Sequence, residues 1–289
     1  MTRPASEPAG LTWEVDLAHG ARLTGLTDPR GRQWLADDDR PGRRPGGPDD
    51  RFTDGPLAGW DEMLPSIDPC LLDEGGRQVA VGDHGDLWCR PWSGDVTEHA
   101  VDGASLPFRL RRRVTGTPCG IRLDYELTVT GDRVVPLLWA AHPQFALRPG
   151  TRLVLPKQVS VLRVDGDDPE SGSWAATVDP GRLVTPGGCG KWYVDPAGSP
   201  ALHGAALVDP DGGWLRLTWD PGDLPYLGIW LDRGHLAAGD VLAIEPSSGF
   251  YDRLDRAAAA GNVWTVAPGR PRRWWVALDA GEDGEPWRT

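Results

Sequence analysis

Three side chains in this sequence are of the types that move protons: His142 in AAHPQFAL, Glu245 in VLAIEPSSGF and His84 in VGDHGDLWCRPW. His142 and Glu245 each follow an apolar, strand-like run and each precede a proline, Pro143 and Pro246, so both are expected at strand ends. His84 stands between Asp83 and Gly85, with Trp88 and Trp92 close behind. A neighbouring carboxylate favours the imidazolium, and indole rings offer flat apolar surface to a ligand ring. A buried carboxylate without a partner is costly, so Glu245 must top a cleft or sit in a hydrogen-bonded pair. Taken singly, each residue has an ordinary structural reading as a core histidine, a capped turn or a paired glutamate. Together, an imidazolium acid and a carboxylate base are the minimal set for taking a proton off one oxygen and placing one on another, which suits acid and base chemistry on a sugar.

The elements that must position these residues read as strands. LTWEVDLAHGARLTGLTDPRGRQWL alternates apolar and polar residues and breaks at His19-Gly20 and Asp28-Pro29, the pattern of consecutive antiparallel strands. Residues 36–56, rich in charge, Gly and Pro, form a long loop. In LPFRLRRRVTGTPCGIRLDYELTV, Leu106, Phe108, Leu110 and Val114 share one face, and Ile121, Leu123, Tyr125 and Leu127 face them from the next strand. Arg109, Arg111 and Arg113 then point outward beside Asp124 and Glu126, so the basic run reads as cross-strand ion pairing on a solvent face. Further strands are expected at Val134 to Ala141, Leu153 to Leu155, Trp214 to Trp219, Tyr226 to Leu231, Val241 to Ile244, Val263 to Val266 and Arg273 to Leu278. The one helical stretch is YDRLDRAAAAG, starting at Tyr251 and ended by Gly261. No repeat and no linker divides the chain, which is read as a single domain over residues 1–289.

Composition narrows the function classes. The formal charge of -12 argues against nucleic acid, which needs clustered Lys and Arg. No signal-peptide core and no apolar run of membrane-spanning length occurs, so a cytoplasmic protein with no membrane partner is expected. Cys70, Cys89, Cys119 and Cys189 are too irregularly spaced for a zinc or redox pair and are expected as buried thiols. Fifteen tryptophans serve either a wide β core or sugar-stacking surfaces.

At these motifs the chain resembles the aldose 1-epimerase (galactose mutarotase) superfamily. GARLTGLTDPRGRQWL is similar to its opening strands, HGDLW to its first histidine motif, AAHPQFAL to its His-Pro-x-Phe motif, LPYLGIWLDRG and VLAIEPSSG to its late strands, and VWTVAPGRPRRWWVAL to its closing strand. GWDEMLPSIDPC followed by DHGDLWCRPW is closer to the less characterised bacterial branch. The resemblance implies an all-β, galactose mutarotase-like β-supersandwich of large antiparallel sheets with very little helix. It implies Glu245 as the base that takes the anomeric hydroxyl proton, His142 as the acid that protonates the ring oxygen, and His84 as the group that holds the oxygens, with no metal and no cofactor. The substrate is then a free aldose or related cyclic hemiacetal. A sugar 6-phosphate is disfavoured by charge, with only Arg90 speaking for it.

The early Asn-Arg pair of the well-known mutarotases is missing, and Asp61 and Glu62 in GWDEM are the sugar-binding candidates instead, while Gln144 replaces an aromatic residue. Lys191, Trp230 and Asp232 are expected at the cleft by position, as is Trp88 beside His84. Two other readings stay open: a non-catalytic carbohydrate-binding protein, or the same fold turned to lyase, glycoside-cleaving or natural-product tailoring chemistry, which Tyr193, Tyr226 or Tyr251 near the cleft would favour. The protein is expected as a monomer or homodimer.

Overall fold

The computed structural model of the chain describes residues 10–38, 50–164 and 169–287. The fold is all-β, a galactose mutarotase-like sandwich of two nine-stranded antiparallel sheets. The first sheet runs Thr12–Asp16, Arg22–Thr27, Gly59–Met63, Ala140–Ala146, Asp240–Ser247, Tyr226–Arg233, Cys189–Val194, Val159–Arg163, Glu170–Trp174. The second is centred on Gly213–Trp219, Arg272–Glu282, Gly120–Val129 and Phe108–Gly116, with Glu98–Asp102 beyond them. Large side chains such as Trp34, Trp60, Trp139 and Trp219 are fully buried, so much of the tryptophan serves the core.

Alternation along Phe108–Gly116 and Gly120–Val129 buries Phe108, Leu110, Val114, Ile121, Leu123, Tyr125 and Leu127 as expected. The outward arginines, however, find their acids on the other side. Arg111 and Arg113 both reach Glu98, and Arg109 reaches Asp102, on the neighbouring Glu98–Asp102 strand. Glu126 is taken by Arg273 and Asp124 by Arg122. Each acidic residue of a central strand has two flanking strands to choose from, and the sequence order names only one of them.

The helix is shorter than expected, Leu254–Ala260, and ends at Gly261 in the left-handed region. Residues 251–253 stay outside the helix: Tyr251 and Asp252 form a bend, and the Asp252 carbonyl accepts hydrogen bonds from the amides of Ile67 and Asp68. Of the 36–56 loop, residues 39–49 lie outside the described residues; the remainder includes a 3-10 turn, Phe52–Asp54. All four cysteines are thiols, but Cys119 is exposed and Cys189 half-buried, against the expectation of burial. Among the described residues no helix is long and apolar enough to cross a membrane.

Candidate active site

The site begins with a row across the first sheet. The pairings His142↔Asp61, Glu245↔Gly228 and Gly228↔Tyr193 are direct, and the register Ala140↔Ser247, Gln144↔Ala243 sets His142 opposite Glu245. Directly opposed residues share a face, so Asp61, His142, Glu245, Gly228 and Tyr193 stand side by side. Neither His142 nor Glu245 ends its strand: both strands run on through the following proline, to Ala146 and Ser247. Pro143 and Pro246 lie on adjacent strands and bring no amide donor, and the pairing between these strands skips from Ala140↔Ser247 to Gln144↔Ala243. The acid and base candidates therefore sit where the ladder between their strands is interrupted.

Loops from outside the row close a cavity of about 290 Å³ over it. His142, Glu245, Lys191 and Trp230 form its floor, and His84, Phe52, Asp68 and Asp252 its walls. His84 has a left-handed backbone, φ 57°, and the next residue, Gly85, has φ 75°. A Cβ at Gly85 would come within 2.2 Å of the Leu64 carbonyl oxygen, so the turn that presents His84 admits only glycine there. Asp83 Oδ1 accepts from His84 Nδ1 at 2.7 Å and its Oδ2 from the Phe52 amide at 2.8 Å. An ionised carboxylate only accepts, so Nδ1 carries a proton and Nε2 is the nitrogen left for a ligand. Burial alone would raise the Asp83 carboxyl, but the hydrogen bond and charge of His84 and the Phe52 amide bring it below the ordinary aspartate value. The Phe52 ring stacks flat on His84 at 4.0 Å, and both rings meet His142 edge-on, at 5.2 Å and 5.3 Å.

Glu245 is fully buried. Its Oε2 accepts a hydrogen bond from Lys191 Nζ, while Oε1 lies 3.7 Å from His142 Nε2 and receives no hydrogen bond among the described residues. Lys191 Nζ is also 3.4 Å from Asp252 Oδ1, and that oxygen accepts from the Tyr193 hydroxyl at 2.5 Å. Burial raises the Glu245 carboxyl above the ordinary glutamate value; Lys191 opposes this and the Asp252 charge adds to it. For Lys191 burial works against the charge, but Asp252 and Glu245 outweigh it, and the ammonium is held protonated well above its ordinary range. Burial and the nearby Asp252 charge raise Asp68. Gly228 makes the Lys191–Glu245 contact possible: a Cβ there would lie 3.1 Å from Glu245 Oε2 and 3.4 Å from Lys191 Cε.

Five expected sugar contacts lie elsewhere. Glu62 alternates to the opposite face of its strand, where Arg112, Tyr125 and Trp139 occupy its carboxylate inside the sandwich. Asp61 stands beside His142 in the row but is fully buried and does not line the cavity. Trp88 is buried behind the wall, its indole N–H donated to the Asp83 carbonyl and its ring edge-on to Phe52. Arg90 does not line the cavity; its carbonyl accepts from the Gly20 amide in the turn before the second strand. Asp232 is fully buried and accepts from the amides of His235, Leu236 and Ala237, shaping the loop that carries Leu236 to the cavity rim. The residues that the sequence did not point to are Phe52, Asp68 and Asp252, which come from loops far apart in the chain; for Asp83 the sequence showed the contact with His84 but not the second acceptance, from the Phe52 amide, that ties two walls together.

No family model and no curated protein matches the chain. Solved structures do match in shape. A protein of Synechocystis superposes with a TM-score of 0.73 at 17% identity, over 98% of this chain and 97% of its own. A candidate aldose 1-epimerase of Escherichia coli K12 gives 0.68 at 17% identity, over 95% and 97%. A galactose mutarotase-like protein of Lactobacillus casei gives 0.71 at 15% identity, over 95% and 98%. At these identities the likeness establishes the fold and leaves the chemistry to be argued from the site.

Proposed function

We propose that the protein is an aldose 1-epimerase-type isomerase that interconverts the α and β anomers of a free aldose. The observation that carries this reading is the approach of His142 Nε2 to Glu245 Oε1 at 3.7 Å on the floor of a sugar-sized cavity, with Oε1 receiving no hydrogen bond among the described residues. In a cyclic hemiacetal the anomeric hydroxyl and the ring oxygen are bonded to one carbon, so the base and the acid that serve them must also be close together. The ionised Glu245 takes the anomeric O–H proton as the bond from C1 to the ring oxygen breaks. That oxygen keeps the bonding electron pair and receives a proton from the His142 imidazolium. C1 is now an aldehyde carbon, Glu245 and His142 are both neutral, and no proton has been lost or gained. Rotation about C1–C2 presents the other carbonyl face, and the reverse transfers close the opposite anomer and restore both groups.

His84, held through Nδ1 and stacked on Phe52, offers Nε2 to the sugar oxygens, and Trp230 supplies flat apolar surface at the floor. The Lys191 ammonium points Glu245 by one oxygen and leaves the other for the proton. Against that one lysine stand Glu245, Asp68 and Asp252, so an uncharged sugar suits the cavity better than a sugar phosphate, and Arg90 is not there to change the balance. The names of the structural neighbours support the same class of reaction.

The test is anomer exchange by NMR saturation transfer over a panel of free aldoses and two hexose 6-phosphates. Wild type is expected to speed exchange of at least one free aldose and neither phosphate. Glu245→Gln and His142→Asn should each lower the rate by roughly 10²–10⁴-fold, the range for loss of a general acid or base. Folded wild-type protein that accelerates no sugar would overturn the reading.

A further inference from the structure

Asp252 and Tyr193 are left over once the reaction is written. Tyr193 is fully buried and does not line the cavity, yet its hydroxyl is spent on Asp252 Oδ1, the oxygen that also approaches Lys191. The ammonium of Lys191 is thus shared between two carboxylates, closely with Glu245 and at 3.4 Å with Asp252. We propose that Asp252, anchored by Tyr193, is a positioning residue that sets how firmly Lys191 grips Glu245 and thereby how strong a base Glu245 is. This rests on Glu245 being the base of the proposed reaction.

The charge balance around Glu245 explains why such a device is needed. From its own sheet it faces Lys191 and Tyr193 on one side and His142 on the other; from the loops it faces His84, Asp252 and Asp68. A glutamate held by a lysine alone is a weak base, because the cation favours its ionised form. Asp252 counters this twice: its charge repels that of Glu245, and it draws on the same ammonium. Tyr193 limits the second effect, since a hydroxyl donated to Oδ1 competes with Lys191 for that oxygen.

Two isosteric substitutions should therefore move Glu245 in opposite directions. Asp252→Asn removes the repulsion and leaves Lys191 wholly to Glu245, so the carboxyl should titrate lower, by about one pH unit. Tyr193→Phe frees Oδ1 to pull Lys191 away, so it should titrate higher, by about half a unit. The readouts are the acid limb of the exchange rate against pH and, independently of turnover, the side-chain carboxyl signal of Glu245 in 13C-glutamate-labelled protein, assigned by its loss in Glu245→Gln. Opposite shifts in the carboxyl signal, followed by the acid limb, are the expected result. Opposite carboxyl shifts in a protein that accelerates no sugar would support the coupling and overturn only the epimerase reading. No shift, or shifts of the same sign, in folded variants would overturn the positioning role, because loss of a merely structural contact lowers the rate without moving the limb in opposed directions.

Discussion

Glu62 and Glu245 are both fully buried glutamates bound to a cation, and they project from opposite faces of the same sheet. Around Glu62 both carboxylate oxygens are occupied by donors. Oε1 accepts from Arg112 and from the Tyr125 hydroxyl, and Oε2 from the Trp139 indole. Arg112 in turn donates to His99 Nε2 and to the Ala21 carbonyl and lies over the Trp92 ring. Around Glu245 one oxygen is bound by Lys191 and the other faces a cavity and a histidine. Burial raises both carboxyls. The contrast shows that burial and a cation partner do not distinguish a reacting carboxylate from a structural one. What distinguishes them is whether one oxygen is left without a donor and faces a cavity, where a ligand proton can reach it.

The sharpest way to break the comparison is to remove the charge from each in turn. Glu245→Gln should cost most of the exchange rate, as above, while shifting unfolding free energy by only about 1 kcal/mol, because Lys191 keeps Asp252 as a partner and is not left as an uncompensated buried charge. Glu62→Gln should do the reverse. It leaves Arg112 buried without its carboxylate and should destabilise the fold by roughly 3–5 kcal/mol in urea unfolding, with the folded fraction still active. Equal stability losses in the two variants would erase the distinction.

A smaller effect lies in the proton count of the Glu62 cluster. Arg112 can only donate, so His99 Nε2 accepts, and its Nδ1–H goes to the Asp95 carbonyl at 2.8 Å. His99 is thus neutral, with burial and then the Arg112 charge lowering its pKa to about 4. The unfolded chain takes up this proton near pH 6.5 and the folded chain only near pH 4, so stability present at neutral pH is lost as pH falls through that window. The loss should approach about 3 kcal/mol near pH 4. Unfolding of wild type and His99→Gln at pH 7 and pH 5 isolates it, and an equal pH dependence in both would show that His99 titrates normally.

The smallest expected change tests the other cluster. Gly228→Ala places a methyl 3.1 Å from Glu245 Oε2 and 3.4 Å from Lys191 Cε and Tyr193 Cε1. Neighbours must give by a few tenths of an ångström, so exchange should fall several-fold while stability changes by about 1 kcal/mol. Unchanged exchange would mean that the Lys191–Glu245 geometry is not critical.

How much of this was legible in the residues can be followed one by one. Alternation marked the inward face of Phe108–Gly116 correctly, and the same period places Arg112 inward among Leu110 and Val114. That lone inward arginine was a visible signal for a buried partner, hidden by the outward arginines on either side of it. Proline after His142 and Glu245 suggested strand ends because a proline breaks a ladder. In the fold the two prolines sit on neighbouring strands, where both missing donors fall in the same gap, and the strands continue past it. Asp252 read as part of the first helical turn, but it lies in a bend at the cavity wall, where its carbonyl accepts from the Ile67 and Asp68 amides.

By itself, then, the sequence determined the periodicity, the all-β class and the proton-moving residue types, because each depends on neighbours within a few positions along one strand or turn. Which strands lie side by side, and so which acid meets which base, was decided only in the tertiary structure. Register between segments a hundred residues apart is settled by the packing of the whole sandwich. That packing carried Glu62 inward to three donors that occupy both its oxygens and left Glu245 on the opposite face with one oxygen toward the cavity.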